Sequence, residues 1–230
     1  MFIPLHDHNP LENIALPIVN WAIIVFTVLI YAVFQSGLLI EGDRTAALAF
    51  GMIPAVFNDT RTLPPGYELI PEWATMITYA FLHGGWMHLA GNMLFLWVFG
   101  DNIEDAVGHF KYLIFYLLCA AGGGFAHSLV NPGSEAPLVG ASGAVAGIVA
   151  AYLILHPKVR VWILVLMRIP VPLPAMWVLG AWIVWQVVQI VIAVDEDVAW
   201  WAHIGGLITG AILILFFRKR GVKLFDQGLS

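Results

Sequence analysis

Six apolar stretches follow one another along the 230 residues of this chain, and they restrict its possible folds more than any other feature. A helix that crosses a membrane needs about 20 mostly apolar residues. The chain is 60% hydrophobic and only 11% charged, whereas soluble domains carry about 25% charged residues. We therefore predict an all-α polytopic membrane protein with six transmembrane helices, at residues 17–39, 87–105, 110–130, 142–156, 173–194 and 202–217.

The remaining parts of the chain are short. Residues 1–16 and the basic tail 218–230 cannot bury a core of their own, so residues 17–217 form the predicted membrane domain. The fourth helix is short for a complete crossing, and we expect it to be recessed from one surface. The first loop, residues 41–74, is expected to lie in the outer membrane interface. That expectation rests on prolines interleaved with apolar residues, namely Phe50, Met52, Ile53, Val56 and Phe57.

The distribution of lysine and arginine predicts the orientation of the helices. Two of the ten basic residues, Arg44 and Arg61, lie in the first loop. The other eight lie in segments that the helix order assigns to the opposite side: Lys111, Lys158, Arg160, Arg168, Arg218, Lys219, Arg220 and Lys223. We therefore expect both termini in the cytoplasm. Because no targeting extension is evident, we expect the inner (plasma) membrane of a bacterium.

This orientation brings polar residues from three helices to one depth near the outer surface. His88 and Asn92 lie at the start of the second helix, Ser142 at the start of the fourth and His203 at the start of the sixth. Ionisable groups inside a membrane are costly, so their presence at a shared depth is a functional indication.

The acidic residues of the second helix lie at its other end. From His88 to Asp101 is about 20 Å along a helix that rises 1.5 Å per residue. Glu104 and Asp105 lie further away still. We therefore expect none of these carboxylates to orient a histidine near Ser142.

Ser142 is the candidate nucleophile, within the sequence Gly140-Ala141-Ser142-Gly143. A serine needs a base to become nucleophilic, and histidine is the usual base, which makes His203 the candidate. The alternative for Ser142 is an ordinary helix cap, a role in which serine is common. Small residues at helical spacing favour close packing of the fourth and sixth helices. They are Gly143, Ala146, Gly147 and Ala150 on the fourth helix and Gly206 and Gly210 on the sixth.

Three hydrogen-bond donors are predicted near Ser142. His88 and Asn92 are four residues apart and share a helical face, and the backbone N–H of Ser142 is free at the start of its helix. Such donors stabilise the oxyanion of a tetrahedral intermediate. His83 precedes the second helix and is expected to tether a loop by a hydrogen bond. A zinc site from His83, His88 and His203 is the competing arrangement, although the spacing matches no HExxH motif.

Together these motifs resemble those of the rhomboid proteases, a family of intramembrane serine proteases, over nearly the whole chain. The resemblance implies a Ser142–His203 dyad without an acid, and an oxyanion site formed by His88, Asn92 and the Ser142 amide. It also implies cleavage of single-pass membrane proteins in or near their transmembrane segment. It rests on His83, His88 and Asn92, on Gly140-Ala141-Ser142-Gly143 with Gly147, and on Ala202-His203-Ile204-Gly205-Gly206 with Gly210.

Further expectations follow from the same resemblance. No metal or cofactor is needed, the partners are transmembrane substrates and the lipid bilayer, and no nucleic-acid partner is expected. The oligomeric state is open. In the family, the fifth helix and the loop after it form a mobile gate and cap, which here would include Asp195-Glu196-Asp197. Gly140 is expected to let its loop enter the cavity, while Gly143 and Gly147 let the sixth helix approach.

The chain departs from the family pattern at two positions. Many bacterial members carry a Trp-Arg pair in the first loop, where this chain has Trp73 one position early and no arginine. Some members place an aromatic residue at the position of Ala146, where it stacks on the catalytic histidine. We expect a tryptophan of the Trp200-Trp201 pair or of the fifth helix to hold His203 instead.

Two other classes of protein are considered. A catalytically silent rhomboid-like protein would bind membrane helices without cutting them, but its expected signature is loss of Ser142 or His203, and both are present. A transporter is expected to place polar residues near the membrane midplane and to show repeated halves. Here the polar residues gather at one end, and no convincing repeat is evident.

Overall fold

The computed structural model describes residues 3–37, 43–165, 168–192 and 198–226, and this part of the chain is mostly helical. By length and composition, four of the described helices are able to cross a membrane. They are Ile18–Gln35, His109–Val130, Ala175–Ile192 and Trp200–Phe217. The predicted cap at residues 195–197 and the predicted end of the first helix at residue 39 lie outside the described residues.

The described helices and strands are numbered separately in chain order. The first half contains β1 (Ile3–Asp7), α1 (Ile18–Ile30), α2 (Asp43–Phe50), α3 (Pro54–Phe57), α4 (Thr75–Thr78), α5 (Trp86–Phe95) and α6 (Asp101–Val107). The second half contains α7 (His109–Val130), α8 (Ser142–Leu155), β2 (Arg160–Val165), β3 (Ile169–Pro174), α9 (Ala175–Ile192) and α10 (Trp200–Phe217). Two π-helical segments, Tyr31–Gln35 and Leu96–Gly100, continue α1 and join α5 to α6.

The helix α8 occupies the centre of the bundle. It has 14 residues, which corresponds to about 21 Å at 1.5 Å per residue, and most of its side chains are buried. Its glycines lie against α10 without intervening side chains: a Cβ added at Gly206 would lie 1.8 Å from the carbonyl oxygen of Gly143. The same holds one turn along, where a Cβ at Gly210 would lie 2.1 Å from the Gly147 oxygen. Backbone approach of this kind requires glycine at both positions.

A small antiparallel sheet lies at the end of α8 that is remote from Ser142, which corrects the all-α prediction. In the described chain, β2 is the central strand, with Ile3 of β1 opposite Leu164 and Leu173 of β3 opposite Val161. Leu173 therefore lies in a strand, although it was predicted to begin the fifth helix. Residues 157–172 were predicted to be the loop between the fourth and fifth helices, so both strands of the hairpin were missed.

The carboxylates of α6 fix the N-terminal segment to this end of the bundle. Glu104 accepts hydrogen bonds from the backbone N–H groups of Val19 and Asn20, at 3.0 and 2.7 Å. These donors lie at the start of α1, where no side chain of the helix itself provides a cap, so Glu104 satisfies amides that the helix leaves free. Asp105 accepts two further backbone hydrogen bonds, from Asn13 and Ile14.

The C-terminal tail is fixed to the same end. The backbone N–H groups of Phe225 and Asp226 donate to the carbonyl oxygens of Ile154 and Leu155, which end α8. The Lys219 N–H donates to Ala106 at 2.8 Å. The N-terminal strand, the β2–β3 hairpin and the tail therefore lie together on one side of the bundle.

The first loop is more deeply buried than predicted. Met52, Ile53 and Val56 are buried in the protein, and Met52 pairs by backbone hydrogen bonds with Leu138 in the segment before α8. The loop folds back onto the bundle because its short helices and this pairing satisfy its backbone polar groups. Its most exposed apolar side chains are instead Leu69 and Trp73.

Candidate active site

Ser142 and His203 are in hydrogen-bond contact. The serine Oγ lies 2.7 Å from Nε2 of the histidine, although the two residues are 61 positions apart in sequence. Ser142 is the first residue of α8 and His203 lies in the first turn of α10. The glycine contacts between these two helices bring the side chains within reach.

The hydroxyl of Ser142 does not cap its helix. Ala141 occupies the capping position of α8, and no side chain makes a capping hydrogen bond there. The helix-cap alternative for Ser142 is therefore not what the structure shows, since its hydroxyl is directed to His203. The Ser142 backbone N–H lies in the first turn, where helical amides have no intrahelical partner.

His203 is held by aromatic rings and by an amide. Trp182 of α9 stacks on the imidazole at a centroid separation of 6.2 Å, and Trp200 meets its edge at 5.7 Å. Both tryptophans come from the segments that were expected to replace the aromatic residue missing at Ala146. The second ring nitrogen, Nδ1, lies 2.7 Å from Oε1 of Gln186.

Gln186 is a residue to which the sequence assigned no role. It is buried on α9, and the signal available in the sequence was one of two amide side chains, with Gln189, in a mostly apolar helix. Its contact with His203 depends on how α9 packs against α10, so spacing alone did not reveal it.

His88 and Asn92 lie beside the Ser142–His203 pair. The N–H of Gly84 donates to Nδ1 of His88 at 3.4 Å, which favours the tautomer with a proton on Nε2. Asn92 donates one amide hydrogen to the carbonyl oxygen of His88 at 3.1 Å, and the amide carries a second hydrogen. Each side chain thus retains a donor group.

Gly140 makes room for His88. Its φ of +124° is one that side-chain-bearing residues rarely adopt, and a Cβ at this position would lie 2.6 Å from Cε1 of the His88 ring. Glycine therefore allows the segment before Ser142 to pass the imidazole closely.

His83 ties this segment to the first helix. Its Nε2 accepts a hydrogen bond from the N–H of Ala141 at 3.4 Å, and its own backbone N–H donates to Oε1 of Gln35 at 2.9 Å. Burial lowers the pKa of His83 to about 3, with a smaller effect from His88. The imidazole is therefore neutral near pH 7, which its role as an acceptor requires.

An open cavity of about 920 Å³ reaches these groups. Ser142, His203, His88 and Asn92 all line it, so four of the predicted site residues face one space. Trp200 forms part of its apolar wall. This volume lies within the range of about 300–1,000 Å³ that is usual for ligand-binding pockets.

The acidic residues of α6 lie away from the Ser142–His203 pair. The carboxylates of Glu104 and Asp105 bind the N-terminal segment at the opposite end of the bundle. For the zinc alternative, both ring nitrogens of His203 are already in contact with Ser142 and Gln186. In the described residues, no group of three or more His, Cys, Asp or Glu side chains is arranged to hold a metal ion.

Fold and site together define a helical membrane protein that holds a serine and a histidine in contact at one end of its bundle. A family model described as the Rhomboid domain matches residues 71–220. The chain therefore belongs to the rhomboid family, a family of polytopic membrane proteins.

Curated relatives come from bacteria, plants and yeast. The rhomboid protease GluP of Bacillus subtilis is 38% identical over 82 residues, which cover 36% of this chain and 16% of GluP. RHOMBOID-like protein 12, mitochondrial, of Arabidopsis thaliana is 29% identical over 161 residues, covering 63% of this chain and 46% of the relative. Rhomboid-like protein 11, chloroplastic, of the same plant is 39% identical over 84 residues, covering 36% and 30%. The aligned regions thus span less than half of each of these relatives.

Proposed function

We propose that this protein is an intramembrane serine endopeptidase that uses Ser142 as nucleophile and His203 as general base and acid. The observation that carries the proposal is the 2.7 Å contact between Ser142 Oγ and His203 Nε2. A serine hydroxyl becomes nucleophilic when an adjacent base accepts its proton. Membership of the rhomboid family supports the same activity.

The reaction proceeds in two halves. In the first, the Ser142 oxygen attacks the carbonyl carbon of the scissile bond while its proton passes to Nε2 of His203. The tetrahedral intermediate collapses as the C–N bond breaks, and His203 gives the proton to the leaving amine. In the second half, His203 takes a proton from water, which attacks the acyl ester, and Ser142 is released with its proton restored.

The oxyanion of each tetrahedral intermediate needs hydrogen-bond donors. Three groups beside Ser142 are suited to this: Nε2–H of His88, the second amide hydrogen of Asn92 and the backbone N–H of Ser142. The donor assignment for His88 is supported by its Nδ1 contact with Gly84. Loss of one such donor is expected to cost about 100- to 1,000-fold in rate.

The proposed topology has six transmembrane helices, residues 17–217, with residues 1–16 and 218–230 in the cytoplasm. Eight of the ten basic residues are assigned to the cytoplasmic side, and the strand pairing of Ile3 and the backbone contact of Asp226 bring the described ends of the chain to one end of the bundle. The start of α8 is then recessed from the outer surface, because about 21 Å of helix is shorter than a hydrocarbon core of about 30 Å. The first loop, residues 41–74, lies at the outer interface, with Leu69 and Trp73 exposed to it.

We further propose that the substrates are single-pass membrane proteins cut in or near their transmembrane segment. The cavity opens beside Ser142 and is walled partly by apolar side chains, which suits an unwound apolar segment. The proposed location is the inner (plasma) membrane of a bacterium, with the active site on the outer side. No metal or cofactor enters the mechanism, since all proton transfers pass through His203.

The test compares the unchanged protein with Ser142→Ala on a panel of single-pass transmembrane substrates, with product masses to locate the cleaved bond. The unchanged protein is expected to cleave at least one substrate and Ser142→Ala none, at the same unfolding temperature. Cleavage by Ser142→Ala would exclude Ser142 as nucleophile. Substrate binding without cleavage by the unchanged protein would indicate a silent, helix-binding member of the family.

A further inference from the structure

Gln186 occupies the position next to His203 that an acid occupies in a catalytic triad. It is 3% exposed, and its Oε1 lies 2.7 Å from Nδ1 of His203. The opposite ring nitrogen of His203 faces Ser142 at the same distance. The three side chains thus form a continuous chain of hydrogen bonds.

The orientation of the Gln186 amide is fixed by its other end. Nε2 of Gln186 donates to the carbonyl oxygen of Trp182, one helical turn earlier, at 3.3 Å. The oxygen of the amide therefore points towards His203. An amide oxygen only accepts hydrogen bonds, so the proton of the neutral imidazole lies on Nδ1. Nε2 then presents its lone pair to the Ser142 hydroxyl, which is the form that acts as a base.

We propose that Gln186 is a positioning residue, which holds His203 in its Nδ1–H tautomer and makes the site a Ser142–His203–Gln186 triad. The inference rests on the proposed function, because it assigns a role within the same catalytic site. It replaces the expectation of a dyad without a third member.

The same helix supplies the aromatic ring that covers His203. Trp182 stacks on the imidazole, so α9 determines both the orientation and the tautomer of the base. A displacement of α9 by about 1 Å would lengthen the Gln186–His203 contact beyond hydrogen-bond range. His203 is therefore held in the Nδ1–H tautomer only when α9 is seated against α10.

A neutral amide differs from a carboxylate in one testable respect. It fixes the tautomer but adds no negative charge beside the imidazolium that forms during the reaction. Replacing it with glutamate adds that charge, which favours the protonated form of His203. The other titratable side chains that interact electrostatically with His203 are His88 of α5 and His127 of α7, and both are unchanged in the variants below.

The kinetic test uses Gln186→Leu and Gln186→Glu, with Val187→Leu as a control at an exposed position of the same helix that does not line the cavity. Gln186→Leu is expected to lower kcat about 10-fold or more, with KM nearly unchanged, because the tautomer is no longer selected. Gln186→Glu is expected to retain activity and to shift the acid limb of the kcat–pH profile to higher pH. Val187→Leu is expected to keep the kcat and pH profile of the unchanged protein.

Unfolding temperatures of all variants distinguish a positioning role from a structural one. If Gln186→Leu unfolds at a lower temperature, the tautomer of His203 in that variant decides, because a purely structural role of Gln186 does not move the ring proton. Unchanged kcat in Gln186→Leu, or an unshifted acid limb in Gln186→Glu, would overturn the proposal.

A spectroscopic test does not depend on activity. Protein labelled with ¹⁵N-histidine is compared with His203→Asn to assign the His203 ring nitrogens by NMR. The expected result is the Nδ1–H tautomer in the unchanged protein and its loss in Gln186→Leu. An Nε2–H tautomer in the unchanged protein would overturn the inference. A protein that shows the Nδ1–H tautomer but cleaves no substrate would contradict the proposed function alone.

Discussion

Replacing Gly206 with alanine tests whether backbone contact between α8 and α10 holds the Ser142–His203 pair together. A Cβ at position 206 would lie 1.8 Å from the carbonyl oxygen of Gly143, whereas ordinary contact begins at 3.4 Å. The two backbones must therefore separate by about 1.6 Å at this point. Gly143 adjoins Ser142 and Gly206 lies three residues after His203, so most of that separation reaches the pair. Added to the present 2.7 Å, it gives about 4.3 Å, beyond hydrogen-bond range.

Two quantities are measured on the purified variant in detergent. The free energy of unfolding is expected to fall by about 3 kcal/mol, the upper end for overpacked positions, because both clashing groups are backbone. The rate of labelling by a serine-directed fluorophosphonate is expected to fall about 100-fold, the contribution of a general base. Gly180→Ala on α9 is the control, since a Cβ there meets nothing within 4 Å. The reasoning would be refuted if Gly206→Ala had the labelling rate and the free energy of unfolding of the unchanged protein.

Three further predictions concern other parts of the molecule. Glu104→Gln is expected to destabilise the protein by about 1–3 kcal/mol in chemical unfolding, because the carboxylate that caps α1 is lost; Glu135→Gln, in an exposed ion pair, should change it by less than about 1 kcal/mol. Burial raises the pKa of Asp7 above 3.8, so the folded state retains a proton that the unfolded chain has lost, and stability falls as pH rises above that value. The unfolding temperature of Asp7→Asn, measured at pH values from about 3.8 upwards, should not show that decrease. The same pH dependence in Asp7→Asn and in the unchanged protein would contradict this prediction. Gly140→Ala should displace His88 and lower kcat for a transmembrane substrate about 100-fold, while unchanged kcat would remove His88 from the oxyanion site.

Much of the helical framework was predictable because apolar length is a strong signal in a membrane protein. The predicted third and fourth helices differ from α7 and α8 by a single residue at one end. The strands at 160–174 were not predicted, since residues 157–172 were assigned to a loop and the run around Trp162 and Leu164 lacks the alternation of apolar and polar residues that indicates a strand. Its pairing with Ile3 is a long-range contact that local sequence does not encode.

The part of the site that lies at the starts of helices was predictable from the sequence. Ser142 and His203 could be placed at one depth from topology alone, and the glycines of their helices indicated close approach. The partner of the second nitrogen of His203 could not be predicted in this way. Gln186 reaches it only because α9 is rotated to present that residue, a result of packing around Trp182 rather than of spacing.

The anchoring of the N-terminal segment imposes an order of events during synthesis. Glu104 emerges about 85 residues after the amides of α1 that it caps, and Leu164 emerges about 160 residues after Ile3. At 5–20 residues per second, these delays amount to roughly 4–17 s and 8–32 s. The first helix therefore enters the membrane before its cap exists, and the first strand waits for its partner until the fourth helix is complete. A chain released before residue 165 would leave that strand edge unpaired and available to other chains.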